Sequence, residues 1–105
     1  WARRRLEDKQ MTPVIQQIAA YMGQSGGNYS DWYIGIAANA RQRLFNDHAV
    51  VEQGDAWIYQ DCGTSEAARG VEQYFLALGC QGGAGGGDDS TRFAYAYKVN
   101  SHTRE

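Results

Sequence analysis

Lysine, proline and cysteine are scarce in this 105-residue chain, which holds 2 Lys, 1 Pro and 2 Cys. With so little lysine, its 8 Arg face 12 carboxylates and the formal net charge is -2. A generally basic surface is excluded, so any nucleic-acid contact must rest on a local patch. The bias toward Arg suits bidentate phosphate contact, and equally suits carboxylate pairing. Cys62 and Cys80 lack the CxxC spacing of a zinc or redox site and are too few to staple a mini-protein. Two reduced, partly buried thiols are expected, with one Cys62 to Cys80 bridge as the alternative. No apolar run approaches the roughly 18 residues that span a bilayer, and no basic-then-apolar leader stands at the start. The expectation is a protein without membrane segments, working in the cytoplasm. Apolar residues at 43% and charged ones at 21% sit near soluble averages, which excludes a disordered chain or a fibre.

The length suits one domain. Residues 1-10, with Arg3, Arg4, Arg5, Glu7, Asp8 and Lys9, differ in character from the segment that Met11 opens. They read as a linker, a cloning scar or the tail of a charged connector, leaving 11-105 as a single domain. Thr12 and Pro13 predict a helix start, and Val14, Ile15, Ile18 and Met22 recur at helical spacing up to Gly23. Trp32 to Ala37 reads as a buried strand rich in aromatic and branched residues. Asn39 caps a short helix bearing Arg41, Arg43 and Leu44 that ends near Asn46 to His48. After the Gly54-Asp55 turn, 56-60 is a second strand. Thr64 or Ser65 caps a third helix, whose apolar stripe includes Val71 and Phe75 and which closes at Gly79. Phe93 to Val99 alternates at period two and forms a third strand. The pattern predicts an α+β fold in which a small three-stranded sheet is flanked by three helices.

The Gly-rich stretch 82-87 is a loop by composition. It comes after a helix and before a strand, the wrong order for a phosphate-cradling fingerprint, and no Gly-Lys-Ser/Thr is present. Asp88 and Asp89 are carboxylates that suit a cation, and adjacent Asp residues also simply form turns. A more informative set is Tyr33 on the first strand, Arg43 one helix later and Glu72 on the third helix. Cleaving a phosphodiester needs a cation against the phosphoryl oxygens, a carboxylate for a divalent metal and a group that takes a proton from water. Each residue also has an ordinary reading: half-buried packing for Tyr33, a solvated charge for Arg43, a solvent-facing carboxylate for Glu72 and a helix-end histidine for His48.

The run Tyr33-Ile34-Gly35-Ile36-Ala37-Ala38-Asn39-Ala40-Arg41-Gln42-Arg43-Leu44 resembles the second half of the GIY-YIG nuclease signature. In that signature a Tyr-Ile/Val-Gly strand leads to a helix with an Arg-Leu pair ten residues after the tyrosine. Glu66 to Leu76 resembles the later helix of the family, whose glutamate binds the divalent metal, and Glu72 is the matching position. The resemblance covers residues 32 to about 78. It implies a metal-dependent endonuclease, a hydrolase in which Tyr33 assists proton transfer, Arg43 holds the scissile phosphate and Glu72 ligates Mg²⁺ or Mn²⁺. His48 resembles the helix-end histidine that some members carry.

The family opens with a Gly-Ile-Tyr strand, and nothing like it precedes Tyr33. Two repairs suggest themselves: Tyr29 stands in from a loop, or strand 93-99 fills the vacant place in the sheet and offers Tyr95 or Tyr97 as the first tyrosine. Nucleic acid is the expected partner, DNA ahead of RNA, with Arg41, Arg43, Arg69 and Arg92 as a candidate patch. The alternative is a catalytically inactive module of the same fold that binds a protein partner.

Overall fold

The computed structural model describes residues 2-83 and 88-105, with side chains from Met11 onward. Helix α1 (Ala2–Ser25) leads through a 3-10 turn (Tyr29–Asp31) into strand β1 (Trp32–Ala37). Helix α2 (Ala40–Gln42) continues directly as a π-helical turn (Arg43–Asp47), then come β2 (Trp57–Asp61), α3 (Ser65–Ala77) and β3 (Phe93–Lys98). The three strands form one antiparallel sheet in the order β1-β3-β2. The fold is α+β as the pattern predicts, and its last strand is its central one.

Register comes from the alternation in β3. Gly35 and Tyr59 both stand opposite Tyr95, while Tyr33 and Trp57 both stand opposite Tyr97. Directly opposed residues share a face, so the sheet is sorted into two sides. One side carries Trp32, Ile34, Ala94 and Ala96, and the small alanines let Val14, Ile18 and Met22 of α1 and Val71 and Phe75 of α3 settle on it. The other carries Tyr33, Tyr95, Tyr97, Trp57, Tyr59 and Phe93. Ala40, Leu44, Phe45 and Val50 from the segment around α2 join that second cluster. A free edge of β1 is avoided: Ile34 N–H donates to the Gln81 carbonyl at 2.9 Å and Gln81 N–H to the Trp32 carbonyl at 2.8 Å. Gly82 keeps this approach close, since a Cβ there would collide with the Ile34 carbonyl oxygen.

Helix boundaries match their caps in two cases and depart from them in one. Asn39 accepts from Gln42 N–H, and Thr64 Oγ1 accepts from Ala67 N–H, each at 3.1 Å. Gly79, at φ 112°, ends α3 where the sequence predicts. Helix α1, by contrast, does not start at Thr12 and Pro13 but at Ala2, across the compositional boundary at Met11, with Pro13 inside it. Pro13 removes one intrahelical donor, while the Arg, Leu, Glu, Lys and Gln residues before it are good helix formers. Nor does Gly23 close it; the chain turns at Gly26, at φ 84°, whose N–H reaches the Met22 carbonyl at 2.9 Å.

Both cysteines are buried and free, and burial pushes each thiol up to about 11. Of the predicted 82-87 loop, residues 84-87 lie outside the described residues. Asp88 closes a turn by accepting from Ser90 N–H at 2.8 Å. Among the described residues, no helix is long and apolar enough to cross a membrane. Because Ile34 is 0% exposed while Val51 is 49% exposed, Ile34→Ala is expected to cost about 2–5 kcal/mol. Val51→Ala should stay within about 0.5 kcal/mol. Urea denaturation with an unchanged m-value measures both.

Candidate functional site

The segment after Asn39 begins as an ordinary helix and then widens. His48 N–H bonds the Arg43 carbonyl at 2.9 Å, closing a five-residue turn. Sequence pattern predicts only a short helix here. Turns of this kind are rare and recur at functional sites, and this one carries Arg43 at its start and ends at His48. Ala49 comes next at φ 59°, a left-handed conformation that a residue with a Cβ holds only when its surroundings impose it. Strain on one side and the π turn on the other fix the place of His48.

His48 is 2% exposed and bonded at both ring nitrogens. Nδ1 lies 2.6 Å from the Arg104 carbonyl oxygen and Nε2 2.7 Å from the Tyr95 hydroxyl. A carbonyl oxygen only accepts, so Nδ1 carries the proton. In the neutral ring Nε2 is then an acceptor, and Tyr95 Oη–H donates to it. Burial, with a further contribution from the Arg43 charge, holds the His48 pKa below its ordinary value, so the ring is neutral at pH 7. Tyr97 completes this core, its hydroxyl 3.1 Å from His48 Nδ1 and donating to the Arg104 carbonyl at 3.2 Å. The alternation in β3 places Tyr97 on this face; the chain segment around Arg104 carries no comparable signal, because its role comes from a backbone carbonyl that no residue pattern marks.

Tyr95 lies across Gly35. A Cβ at position 35 would overlap its hydroxyl and ring, so only glycine lets the ring lie flat over β1. The Tyr95 hydroxyl also faces the Arg43 guanidinium, which is the main reason that the Arg43 pKa is raised. Burial nonetheless dominates at Tyr95 and pushes it up to about 12. Tyr33 stacks on Tyr97 with ring centroids 5.2 Å apart and lies 4.7 Å from the His48 ring. Its pKa is raised by burial, against the lowering influence of Arg43. Arg43 itself keeps its side chain 48% exposed and makes a surface pair with Asp47 at 3.5 Å.

Glu72 comes from α3 and is 2% exposed, not facing solvent as its ordinary helical reading would have it. Its charge acts on both Tyr33 and Tyr95, raising each. Four of the predicted site residues, Tyr33, Arg43, His48 and Tyr95, therefore meet from β1, the π turn, its end and β3, while Glu72 stands on α3, which packs on the other face of the sheet, and reaches Tyr33 and Tyr95 through its charge. Two candidates stay away. Tyr29 packs against Phe75, and Arg69 of α3 acts on Asp88, leaving Arg41, Arg43 and Arg92 of the expected patch. Among the described residues no group of three or more His, Cys, Asp or Glu is arranged to hold a metal ion. Glu72 is the carboxylate that the likeness would assign to the metal. Mg²⁺ commonly binds through one or two carboxylates, waters and substrate phosphates, and a single carboxylate fits that mode.

Compared with family models, with curated proteins and with solved structures, the chain matches none, so its likeness to the GIY-YIG signature rests on its own residues. The His48 environment has a consequence for stability. With the folded pKa held below 6.5, the unfolded chain takes up the proton first as pH falls, so the contribution is complete above about pH 6.5 and is lost below it. Thermal melts between pH 7.5 and 5 are expected to show Tm falling below about pH 6.5, with a shallower fall in His48→Gln. Gly35→Ala is expected to lower Tm as well, because Tyr95 cannot keep both its place and its bond to His48.

Proposed function

We propose that the chain is a metal-dependent nuclease that hydrolyses phosphodiester bonds of nucleic acid, with DNA preferred to RNA. The observation that carries this reading is the meeting of a partly exposed arginine, a neutral histidine bonded to a tyrosine and a second tyrosine, drawn from separate elements, with the buried Glu72 carboxylate acting on both tyrosines through its charge. These are the residue types that the GIY-YIG likeness assigns to the chemistry. The chain order departs from the family's, yet β3, with Tyr95, pairs antiparallel to β1 in the place that a first Gly-Ile-Tyr strand would take. The free thiols suit a reducing, cytoplasmic setting.

In this reading Arg43 meets the scissile phosphate. Its guanidinium presents several donors in a plane, and its surface pair with Asp47 is weak enough to give way. The Tyr33 hydroxyl orients the attacking water. Tyr95 Oη accepts the water's proton as it passes its own to His48 Nε2, so the proton comes to rest on the imidazole and the tyrosine is unchanged. Arg104 then steadies the imidazolium through its carbonyl. Glu72 would hold Mg²⁺ or Mn²⁺, which when bound supplies charge stabilisation at the phosphoryl and leaving oxygens.

The second reading, an inactive module that binds a protein partner, draws on the lack of a multi-ligand metal group among the described residues. Cleavage separates the two. Against single- and double-stranded DNA and RNA with Mg²⁺ or Mn²⁺, wild type is expected to cut at least one substrate. Arg43→Ala should lose roughly 100-fold or more in kcat, the scale of removing one charge-stabilising group. Glu72→Gln should abolish metal dependence while remaining folded. No cleavage by wild type, or cleavage untouched in Glu72→Gln, rejects the nuclease reading. Because proton transfer needs neutral His48, kcat/KM should be flat near neutral pH and fall as pH drops below about 6.5, toward the lowered His48 pKa.

A further inference from the structure

Beside the Tyr33–His48–Tyr95 cluster, the same face of the sheet continues as a row of aromatic rings that α1 and α3 leave open and that the π turn meets through Phe45. Phe45 meets Trp57 edge-on at 5.0 Å, Trp57 stacks with Tyr59 at 6.0 Å and 11°, and Tyr59 meets Phe93 edge-on at 6.2 Å. All four leave part of their surface open. Each end of the row carries a guanidinium over a ring, Arg41 over Phe45 at 5.0 Å and Arg92 over Phe93 at 5.7 Å. On the basis of the nuclease reading, we infer that this row is a stacking platform for a single strand of nucleic acid, which it feeds toward Arg43.

Three observations select a single strand. Aromatic faces stack on any unpaired base, whereas a duplex keeps its bases inside. General duplex affinity comes from neutralising many phosphates, which a chain of net charge -2 with two flanking arginines does not offer. Register also sets direction: Tyr59 stands opposite Tyr95 and Trp57 opposite Tyr97, so bases on the row lie one strand away from the cluster. The carboxylates Glu52 and Asp61 hold Arg41 and Arg92 at 2.7 and 3.2 Å, with all four side chains about half exposed. Such pairs are worth little, and a strand's phosphates replace them. Phe45, Trp57, Tyr59 and Phe93 give rings without buried charge, which an apolar core alone would not leave at a surface flanked by cations.

The test is fluorescence anisotropy with labelled 12-mers of dT and of U and a 12-base-pair DNA duplex, in EDTA so that nothing is cut. Both single strands are expected to bind more tightly than the duplex, and whichever of dT and U binds better identifies the kind of strand preferred. Tyr59→Ala should weaken single-strand binding about fivefold or more, the scale of one lost base stack. The exposed Arg92→Gln should reduce the salt slope by about 0.7 while leaving the melting temperature in place. Duplex binding as tight as single-strand binding overturns the platform, as does absence of binding to any strand. An affinity unchanged in both folded variants overturns it too. Strand binding that persists while wild type cuts nothing rejects the nuclease reading alone. Cutting that persists with unchanged affinity in Tyr59→Ala rejects the platform alone.

Discussion

Tyr95 can occupy its place only because the residue opposite it on β1 is Gly35, and most of the candidate site depends on that pairing. With no side chain at position 35 the ring lies down over β1, and its hydroxyl falls between His48 Nε2 and the Arg43 guanidinium. The register that sets Gly35 against Tyr95 also sets Tyr33 and Trp57 against Tyr97. A slip of β3 by one residue would turn Tyr95 and Tyr97 to the helix-covered side and send Ala94 and Ala96 to the open one. Core and site are thus two outcomes of one register.

Polar groups buried so deeply are stable only when they satisfy one another. His48, Tyr95 and Tyr97 do so by sharing hydrogen bonds with a backbone carbonyl at Arg104 and with each other. Within a low-dielectric interior such a chain polarises its members, and the loss of any one leaves the others unsatisfied. Burial sets the direction of the shift at Tyr33, Tyr95 and His48: the two tyrosines remain protonated and the histidine remains neutral. A neutral imidazole bonded to a phenol, beside a partly exposed guanidinium, is the arrangement on which the proposed phosphoryl chemistry rests.

The two sides of the sheet divide the labour. Alanines on β3 admit α1 and α3 closely on one side, giving a continuous apolar core. Among the described residues the other side is met by the short α2 segment and by no long helix, so large rings there serve both as packing and as surface.

Strand positions, the Asn39 and Thr64 caps, the Gly79 stop and the common side of Tyr95 and Tyr97 were all legible in the chain itself, because each depends on local periodicity or on one side chain meeting a nearby backbone group. Arg43 and Glu72 were legible only through a family likeness in their spacing; their own chemistry did not distinguish them from solvated charges. The start of α1 departs from its local signals because a capping pair and a proline mark a boundary over a few residues, while propensity summed over the preceding turns overrides it. Tertiary structure alone decided that the last strand is central, that Glu72 is buried, that the helix after Asn39 widens into a π turn and that Arg104 closes over His48. Those outcomes come from contacts between residues far apart in sequence, such as His48 with Tyr95 and Arg104, and pairing of that kind leaves no periodic trace in either partner.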